Sequence, residues 1–151
     1  MRRRLLIGPV ALFAVVLVSL TGCGSGPVAT PLTLSYPAAT AGADPLQISL
    51  VDQTAMVTAI AAGPDASAIP GVQAVPGADT LRVAWEGGPC DDRATLVLNT
   101  IGGGRYELAI HNHPPITAGI DCGESTVSRV VDITFNRHLD PQELTLSVVY
   151  P

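Results

Sequence analysis

The chain of 151 residues contains no lysine. This absence excludes Schiff-base catalysis, which needs a lysine amine, and the usual phosphate-binding loop. Basic residues are scarce overall: the formal net charge is −5, and no basic run occurs beyond residue 4. Because nucleic-acid-binding proteins need a basic face to contact phosphates, the sequence argues against nucleic acid as a partner.

Motifs of the common enzyme classes are also missing. The chain has no Gly-x-Ser-x-Gly, His-Glu-x-x-His, Ser-x-x-Lys or Gly-x-Gly-x-x-Gly. Ser125 or Ser128 could pair with a histidine, but nothing in the sequence selects one of them. We therefore predict that the protein is not an enzyme and uses no cofactor, and a hydrolase without a recognisable motif ranks third among the functional hypotheses.

The first residues have the order of features found in export signals. Arg2, Arg3 and Arg4 precede an apolar run from Leu5 to Leu20, and small residues follow. Since the run of about 16 residues is shorter than the ~20 that a membrane span needs, it predicts a signal helix in the precursor.

The signal ends in Leu20-Thr21-Gly22-Cys23, which resembles the lipobox of bacterial lipoproteins. The resemblance implies a signal peptide over residues 1–22 and a diacylglycerol on the Cys23 thiol. Two acyl chains would anchor the protein firmly at the extracytoplasmic face of the cell membrane. The chain beyond residue 22 carries five arginines and thirteen acidic residues, so its net charge of −8 would repel anionic headgroups. The alternative is an ordinary secreted protein in which Cys23 is coincidental.

Two cysteines remain for the exported domain. Two thiols in a small exported domain are expected to pair, which predicts a Cys90–Cys122 disulfide. The bridge would close about 33 residues and contribute about 3–4 kcal/mol in the chain-entropy model. No Cys-x-x-Cys spacing suggests a redox-active pair.

Composition divides the exported chain into two parts. Residues 23–44 are rich in Gly, Pro, Ser, Thr and Ala, which predicts a lipidated cysteine followed by a flexible tether. Leu32–Tyr36 could instead form an edge strand. Residues 45–151 alternate between apolar and polar positions, the pattern of half-buried strands, and form the predicted domain.

Short strands punctuated by turns predict an antiparallel, immunoglobulin-like β-sandwich of seven or eight strands, with a small barrel as the alternative. With only 4% aromatic residues, the core must consist of Val, Leu and Ile around Trp85. Residues 56–62 fit either a strand or a helix, and Gly102–Gly104 predict a hairpin turn. The predicted strands are 46–51, 72–75, 80–86, 94–100, 105–111, 127–135 and 144–149.

The spacing of Trp85, Cys90 and Cys122 is similar to that in small uncharacterised domains of exported lipoproteins from high-GC Gram-positive bacteria. The resemblance implies a β fold and an exported location, with no activity attached. The order departs from true immunoglobulin domains, in which the tryptophan lies between the two cysteines.

Two clusters of metal-binding residue types stand out. His111 and His113 share one face of a predicted strand, and His138 could complete a Cu or Zn site if its strand were a neighbour. The disulfide would also gather carboxylates, whose oxygens suit Ca²⁺. That candidate calcium cluster consists of Asp91, Asp92, Asp121 and Glu124.

Apolar loops offer a third kind of surface. The segment 63–79 carries Ile69, Val72 and Val75, which either cover the core or form a patch for a partner. We expect a lipid-anchored protein with a non-catalytic binding or accessory role, whose partner is an envelope protein or an extracellular ligand. A metal-handling lipoprotein using His111, His113 and His138 is the alternative.

Overall fold

The computed structural model of the protein describes residues 32–39, 41–63, 66–114 and 122–149. The predicted signal peptide and its helix, Cys23 and the carboxylate of Asp121 therefore lie outside the described residues. Among the residues described, no helix is long and apolar enough to cross a membrane.

Nine strands account for most of the described chain, and a short 3-10 turn at Pro141–Glu143 precedes the last of them. The strands are β1 (Leu32–Tyr36), β2 (Leu46–Asp52), β3 (Val57–Ala62), β4 (Gly71–Ala74), β5 (Thr80–Gly87), β6 (Arg93–Gly102), β7 (Arg105–His113), β8 (Val127–Phe135) and β9 (Leu144–Val149).

The strands form two sheets of a sandwich, with orders β1-β2-β6-β7-β9 and β3-β8-β5-β4. The predicted β-sandwich is confirmed, although the described residues form nine strands rather than seven or eight. The pairs β2–β6 and β7–β9 are parallel, whereas the other five pairs are antiparallel. Parallel neighbours need a long connection. Here β3, β4 and β5 of the other sheet lie between β2 and β6 in the chain, and β8 lies between β7 and β9.

The alternative prediction for Leu32–Tyr36, an edge strand in place of part of the tether, is confirmed. Leu32–Tyr36 pairs with β2 as an edge strand, so the described domain begins at Leu32 rather than at residue 45. Tyr36 is buried in the core, and Leu34 packs against it. An edge strand needs only one partner and a partly buried face, which is why its five residues carry a weak pattern.

The alternation of apolar residues places the core between the sheets. In β2, Leu46, Ile48 and Leu50 are buried, whereas Gln47 is exposed. Trp85 is the largest fully buried side chain, at 0% exposure, as predicted. Buried apolar surface of this kind is the main stabilising contribution in a small domain.

The connection between β6 and β7 is the predicted hairpin. Gly102, Gly103 and Gly104 have φ values of 90°, 62° and 75°, a region that favours glycine. The ambiguous segment at 56–62 is a strand, β3, and it begins one residue later than its apolar run.

The predicted disulfide between Cys90 and Cys122 is present, with 5.6 Å between the two Cα atoms. It marks one end of the sandwich, which we call the disulfide end and define by Tyr36, Cys90, His113 and Arg129. The opposite end, the hairpin end, is defined by Leu32, Asp52, the Gly102–Gly104 turn and Phe135.

Candidate ligand-binding site

The first pair of predicted metal ligands lies on one strand at the disulfide end. His111 and His113 share a face of β7, opposite Thr95 and Arg93 of β6. Both side chains are half-buried, and the His113 Nε2 atom lies 3.3 Å from the Thr95 hydroxyl. The predicted common face of the two histidines is thus present.

The third predicted ligand lies at the other end. His138 is exposed beside Asp79, and its neighbour Arg137 donates a hydrogen bond of 2.7 Å to the hydroxyl of Tyr106. Tyr106 is five residues before His111 on β7, a separation of about 17 Å along a strand. The expected convergence of His138 with the other two histidines is therefore wrong, because β8 ends at the hairpin end.

The predicted calcium cluster is not assembled by its described members. The Asp91 carboxylate accepts a hydrogen bond from the Gly88 backbone N–H at 2.7 Å, whereas Asp92 pairs with Arg93 at 3.2 Å. Glu124 is exposed. Within the described ranges, no three His, Cys, Asp or Glu side chains are grouped so that they could hold a metal ion.

The predicted loop 63–79 divides its apolar residues between core and surface. Val72 lies on β4 and packs against the core, whereas Ile69 is 79% exposed. The segment thus partly covers the core and leaves one large apolar side chain in solvent.

A cavity of about 500 Å³ opens at the disulfide end, where β1, β3 and β8 meet. Its size falls in the range of sites for small organic ligands, about 300–1,000 Å³. The lining is mostly small and apolar. It consists of Tyr36, Pro37, Ala38, Ala39, Ala62, Gly63, Ala66, Val127, Ser128 and Arg129.

Arg129 is the charged group of this cavity, and it is buried, with 2% of its surface exposed. It lies directly opposite Trp85 in the β5–β8 ladder, so the two side chains share the inward face. Its Nη2 group donates a hydrogen bond of 3.0 Å to the Gly88 carbonyl. Its Nε atom is buried and has no partner among the described residues.

Two neighbours act on the guanidinium without forming an ion pair with it. The Arg129 Cζ atom lies 5.6 Å from the centre of the Tyr36 ring, within the range of a cation–π contact. Burial lowers the pKa of Arg129, and electrostatic interactions with Tyr36 and Asp91 act in the opposite direction. The cation is thus desolvated and incompletely compensated.

One peptide group links Arg129 to Asp91. The Gly88 carbonyl accepts from Arg129, while the Gly88 N–H donates to Asp91. A Cβ at Gly88 would lie 2.7 Å from an Asp91 carboxylate oxygen, so glycine permits this close approach. Burial raises the pKa of Asp91, while the Gly88 hydrogen bond and the Arg129 charge oppose the rise.

A second buried polar contact supports the same end. The Trp85 indole donates to the Asn112 side-chain oxygen at 3.1 Å, and the Asn112 amide donates to the Glu86 carbonyl at 3.2 Å. Asn112 continues the buried face of β7 after Leu108 and Ile110. The sequence pattern indicates a candidate site on the face of His111 and His113. On the opposite face, Asn112 between them bonds to the core residue Trp85.

Sequence reasoning also missed Arg129, although a signal for it exists. In β8, Asp132 and Thr134 mark the polar phase, whereas Arg129 is in phase with the buried residues Val131 and Ile133. A charged residue in the apolar phase of a strand predicts a buried charge, and buried charges usually have a partner or a function.

No protein-family model, curated protein or solved structure shows a significant match to this chain.

Proposed function

We propose that the protein is a lipid-anchored, extracytoplasmic binding protein that holds a small ligand in the cavity at its disulfide end and performs no catalysis. The observation that carries the binding role is the cavity of about 500 Å³ lined by a buried arginine with an unpartnered Nε atom. Cavities with apolar walls and one or two fixed polar groups are typical of small-molecule sites.

The anchor rests on the residue pattern Leu20-Thr21-Gly22-Cys23 behind three arginines and an apolar run. Lipidation of Cys23 would confine the domain to a layer next to the membrane. Such confinement raises the local concentration of the domain relative to any envelope partner or ligand.

The direction of β1 sets the position of the proposed anchor relative to the cavity. Its first residue, Leu32, lies at the hairpin end, and its last residue, Tyr36, lines the cavity at the disulfide end. The eight residues between Cys23 and Leu32 span at most about 30 Å. A lipid on Cys23 would therefore attach the domain by its hairpin end and favour an orientation with the cavity away from the membrane.

Cell fractionation tests the anchor. We expect the wild-type chain to remain with the membranes after washing at high salt, whereas the Cys23→Ala chain leaves them or accumulates as an uncleaved precursor. Ser25→Ala is the matched control, because it changes a small residue beside the lipobox and leaves Cys23 in place. Membrane attachment and processing unaffected by Cys23→Ala would contradict the lipoprotein assignment.

Extraction of bound small molecules tests the binding role. Chains purified from membranes are denatured, and the released compounds are compared by mass spectrometry. We expect a compound that accompanies the wild type and Ala61→Leu but not Ala62→Leu. Ala62 and its neighbour Ala61 are both exposed, but only Ala62 lines the cavity. Identical compounds from all three chains would count against a ligand in this cavity.

A further inference from the structure

The two histidines of β7 lie on one outward face of the sheet, at the disulfide end. His111 and His113 are two positions apart, so they project from the same side of the strand about 7 Å from each other. Both side chains are half-buried, and neither belongs to an ion pair of the described residues. A metal ion held by two imidazole nitrogens at about 2 Å needs those nitrogens about 3–4 Å apart, so the rings must lean together.

The hydrogen bond of His113 shows that its ring leans in the required direction. The Nε2 atom of His113 lies 3.3 Å from the hydroxyl of Thr95. Thr95 is the ladder partner of His111, whereas the residue opposite His113 is Arg93. The ring of His113 therefore extends toward the position of His111. Because facing residues of an antiparallel ladder have Cβ atoms about 4.5–5.5 Å apart, the tip of this ring lies beside the His111 side chain.

The same hydrogen bond has the form found around histidines that bind metals. A metal-binding imidazole usually bonds through its second ring nitrogen to a neighbouring polar group, which fixes the orientation of the ring. The Thr95 hydroxyl contacts one nitrogen of His113 and leaves the other for a metal. Thr95 is thus placed to hold His113 next to His111.

The surroundings of the two histidines admit a cation. On the other side of His111 the ladder partner is Val149 of β9, which carries no charge. The Arg93 side chain, opposite His113, is paired with the Asp92 carboxylate at 3.2 Å, so its positive charge is compensated. The whole chain has a formal net charge of −5, which favours the approach of a metal cation.

The number of ligands selects the metal. Zinc sites take three or four protein ligands, and the described residues supply no third His, Cys, Asp or Glu to this pair. Copper(II) binds nitrogen ligands most tightly among the common divalent metals and accepts a square-planar arrangement. We propose that His111 and His113 bind one copper(II) ion, with water in the remaining positions and Thr95 as the positioning residue of His113. The site is separate from the cavity and does not depend on the binding role proposed above.

Copper titration with spectroscopic counting of ligands tests the proposal. The full-length chain in phosphatidylcholine nanodiscs is titrated with copper(II) chloride, with glycine as a competing chelator. Pulsed electron paramagnetic resonance then counts the imidazoles bound to the metal. We expect one copper ion per chain with two imidazoles, and zinc(II) should compete at least about tenfold more weakly. A wild-type chain whose copper carries one imidazole or none would overturn the site without any variant.

Three histidine variants assign the ligands. His111→Ala and His113→Ala should each leave one imidazole on the metal and weaken binding at least about tenfold, because the second imidazole otherwise binds intramolecularly. His138→Ala is the matched control, since it removes an exposed imidazole beside Asp79 at the hairpin end. Two imidazoles that persist in His111→Ala or His113→Ala, or a loss of binding in His138→Ala, would overturn the assignment. Thermal unfolding without copper checks that all three variants fold.

A third pair of variants tests the positioning residue. Thr95→Val keeps the shape of the side chain but removes the hydroxyl, and it should weaken copper binding about tenfold while two imidazoles remain bound. Thr95→Ser keeps the hydroxyl and should bind copper as tightly as the wild type. Equal affinities of Thr95→Val and Thr95→Ser would overturn the role of Thr95.

Discussion

The hairpin end and the disulfide end each bury a charged side chain, and they surround it differently. At the hairpin end, the Asp52 carboxylate accepts hydrogen bonds from the backbone N–H groups of Thr54 and Val57, both at 2.7 Å, and from the Thr54 hydroxyl. At the disulfide end, Arg129 donates one hydrogen bond, to Gly88, and its Nε atom has no partner among the described residues.

The pKa of each carboxylate follows its surroundings. Burial alone would raise the pKa of Asp52, but the hydrogen bonds from Thr54, Val57 and Met56 outweigh burial and lower it. Burial dominates at Asp91 and raises its pKa. The ionised form is thus stabilised at the hairpin end and disfavoured at the disulfide end.

This contrast distinguishes a buried charge whose hydrogen bonds are complete from one whose hydrogen bonds are not. A charge whose hydrogen bonds are complete fixes the chain that surrounds it, whereas a buried donor without a partner costs free energy unless a ligand satisfies it. The buried charge of the hairpin end is therefore held by complete hydrogen bonds, whereas that of the disulfide end retains a donor without a partner among the described residues.

The largest expected effect comes from the covalent bond of the disulfide end. Replacing Cys90 and Cys122 by serine should lower the free energy of unfolding by about 3–4 kcal/mol, because the unfolded chain regains the freedom of the closed loop. Urea denaturation of the oxidised and variant proteins measures the difference. A loss below about 1 kcal/mol would mean that noncovalent contacts alone hold this end.

Removing the satisfied carboxylate of the hairpin end should have the next largest effect. Asp52→Ala leaves the N–H groups of Thr54 and Val57 without their acceptor and should cost about 2–3 kcal/mol. Asp44→Ala removes an exposed carboxylate and serves as the control. If the two variants were equally stable, the hydrogen bonds to Asp52 would not contribute to the free energy of unfolding.

Trp85 and Tyr106 each take part in one side-chain hydrogen bond, which is buried for Trp85 and exposed for Tyr106. Trp85→Phe should cost about 1–2 kcal/mol, because the buried oxygen of Asn112 loses its donor. Tyr106→Phe removes an exposed hydrogen bond to Arg137 at the hairpin end and should cost less than about 0.5 kcal/mol. Thermal unfolding of both variants would test this order, and equal costs would contradict it.

Arg129→Met should change the free energy of unfolding by less than about 1 kcal/mol, since removing a poorly compensated buried charge offsets the lost bond to Gly88. The measurement is urea denaturation without ligand, beside Arg105→Met. A loss of several kcal/mol would show that Arg129 is a structural residue whose charge is fully compensated.

The two aspartates should respond to pH in opposite directions. The lowered pKa of Asp52 gives stability that is present above pH 3.8 and lost as the pH falls through the folded-state value. The raised pKa of Asp91 favours the protonated form, so its contribution is complete below pH 3.8 and lost as the pH rises through the folded-state value. Asp91→Asn should therefore stabilise the protein at pH 7 relative to wild type and lose this advantage at pH 3. An advantage that is equal at both pH values would contradict the raised pKa.

The sequence predicts the sandwich well because its inward residues repeat with period two. The strands Val127–Phe135 and Leu144–Val149 have the predicted bounds, and the disulfide joins the two cysteines of the predicted domain, as expected. The edge strand Leu32–Tyr36 is harder to predict, since an edge strand can be short and partly exposed. The two parallel pairs arise because the chain crosses to the other sheet between their strands. The alternation of residues within a strand does not show to which sheet that strand belongs.

The candidate site is less accessible to sequence reasoning than the fold. His111 and His113 attract attention because their residue type binds metals, but position along the strands separates them from His138. Arg129 is significant only through its phase in β8 and through the absence of a partner for its Nε atom. The second fact depends on the packing of β1 and β3 around it, which no local pattern reveals.

The most direct test of the disulfide end as a binding end follows Arg129, which lines the cavity. Proton–nitrogen NMR of the full-length chain with ¹⁵N-labelled arginine, in phosphatidylcholine nanodiscs, compares each arginine Nε–H before and after bound small molecules are removed. The Arg129 resonance should shift on removal, while that of Arg82, whose Nε already donates to Asp132 at 2.9 Å, should stay in place. An unmoved Arg129 resonance, or equal shifts of both resonances, would contradict a ligand in this cavity.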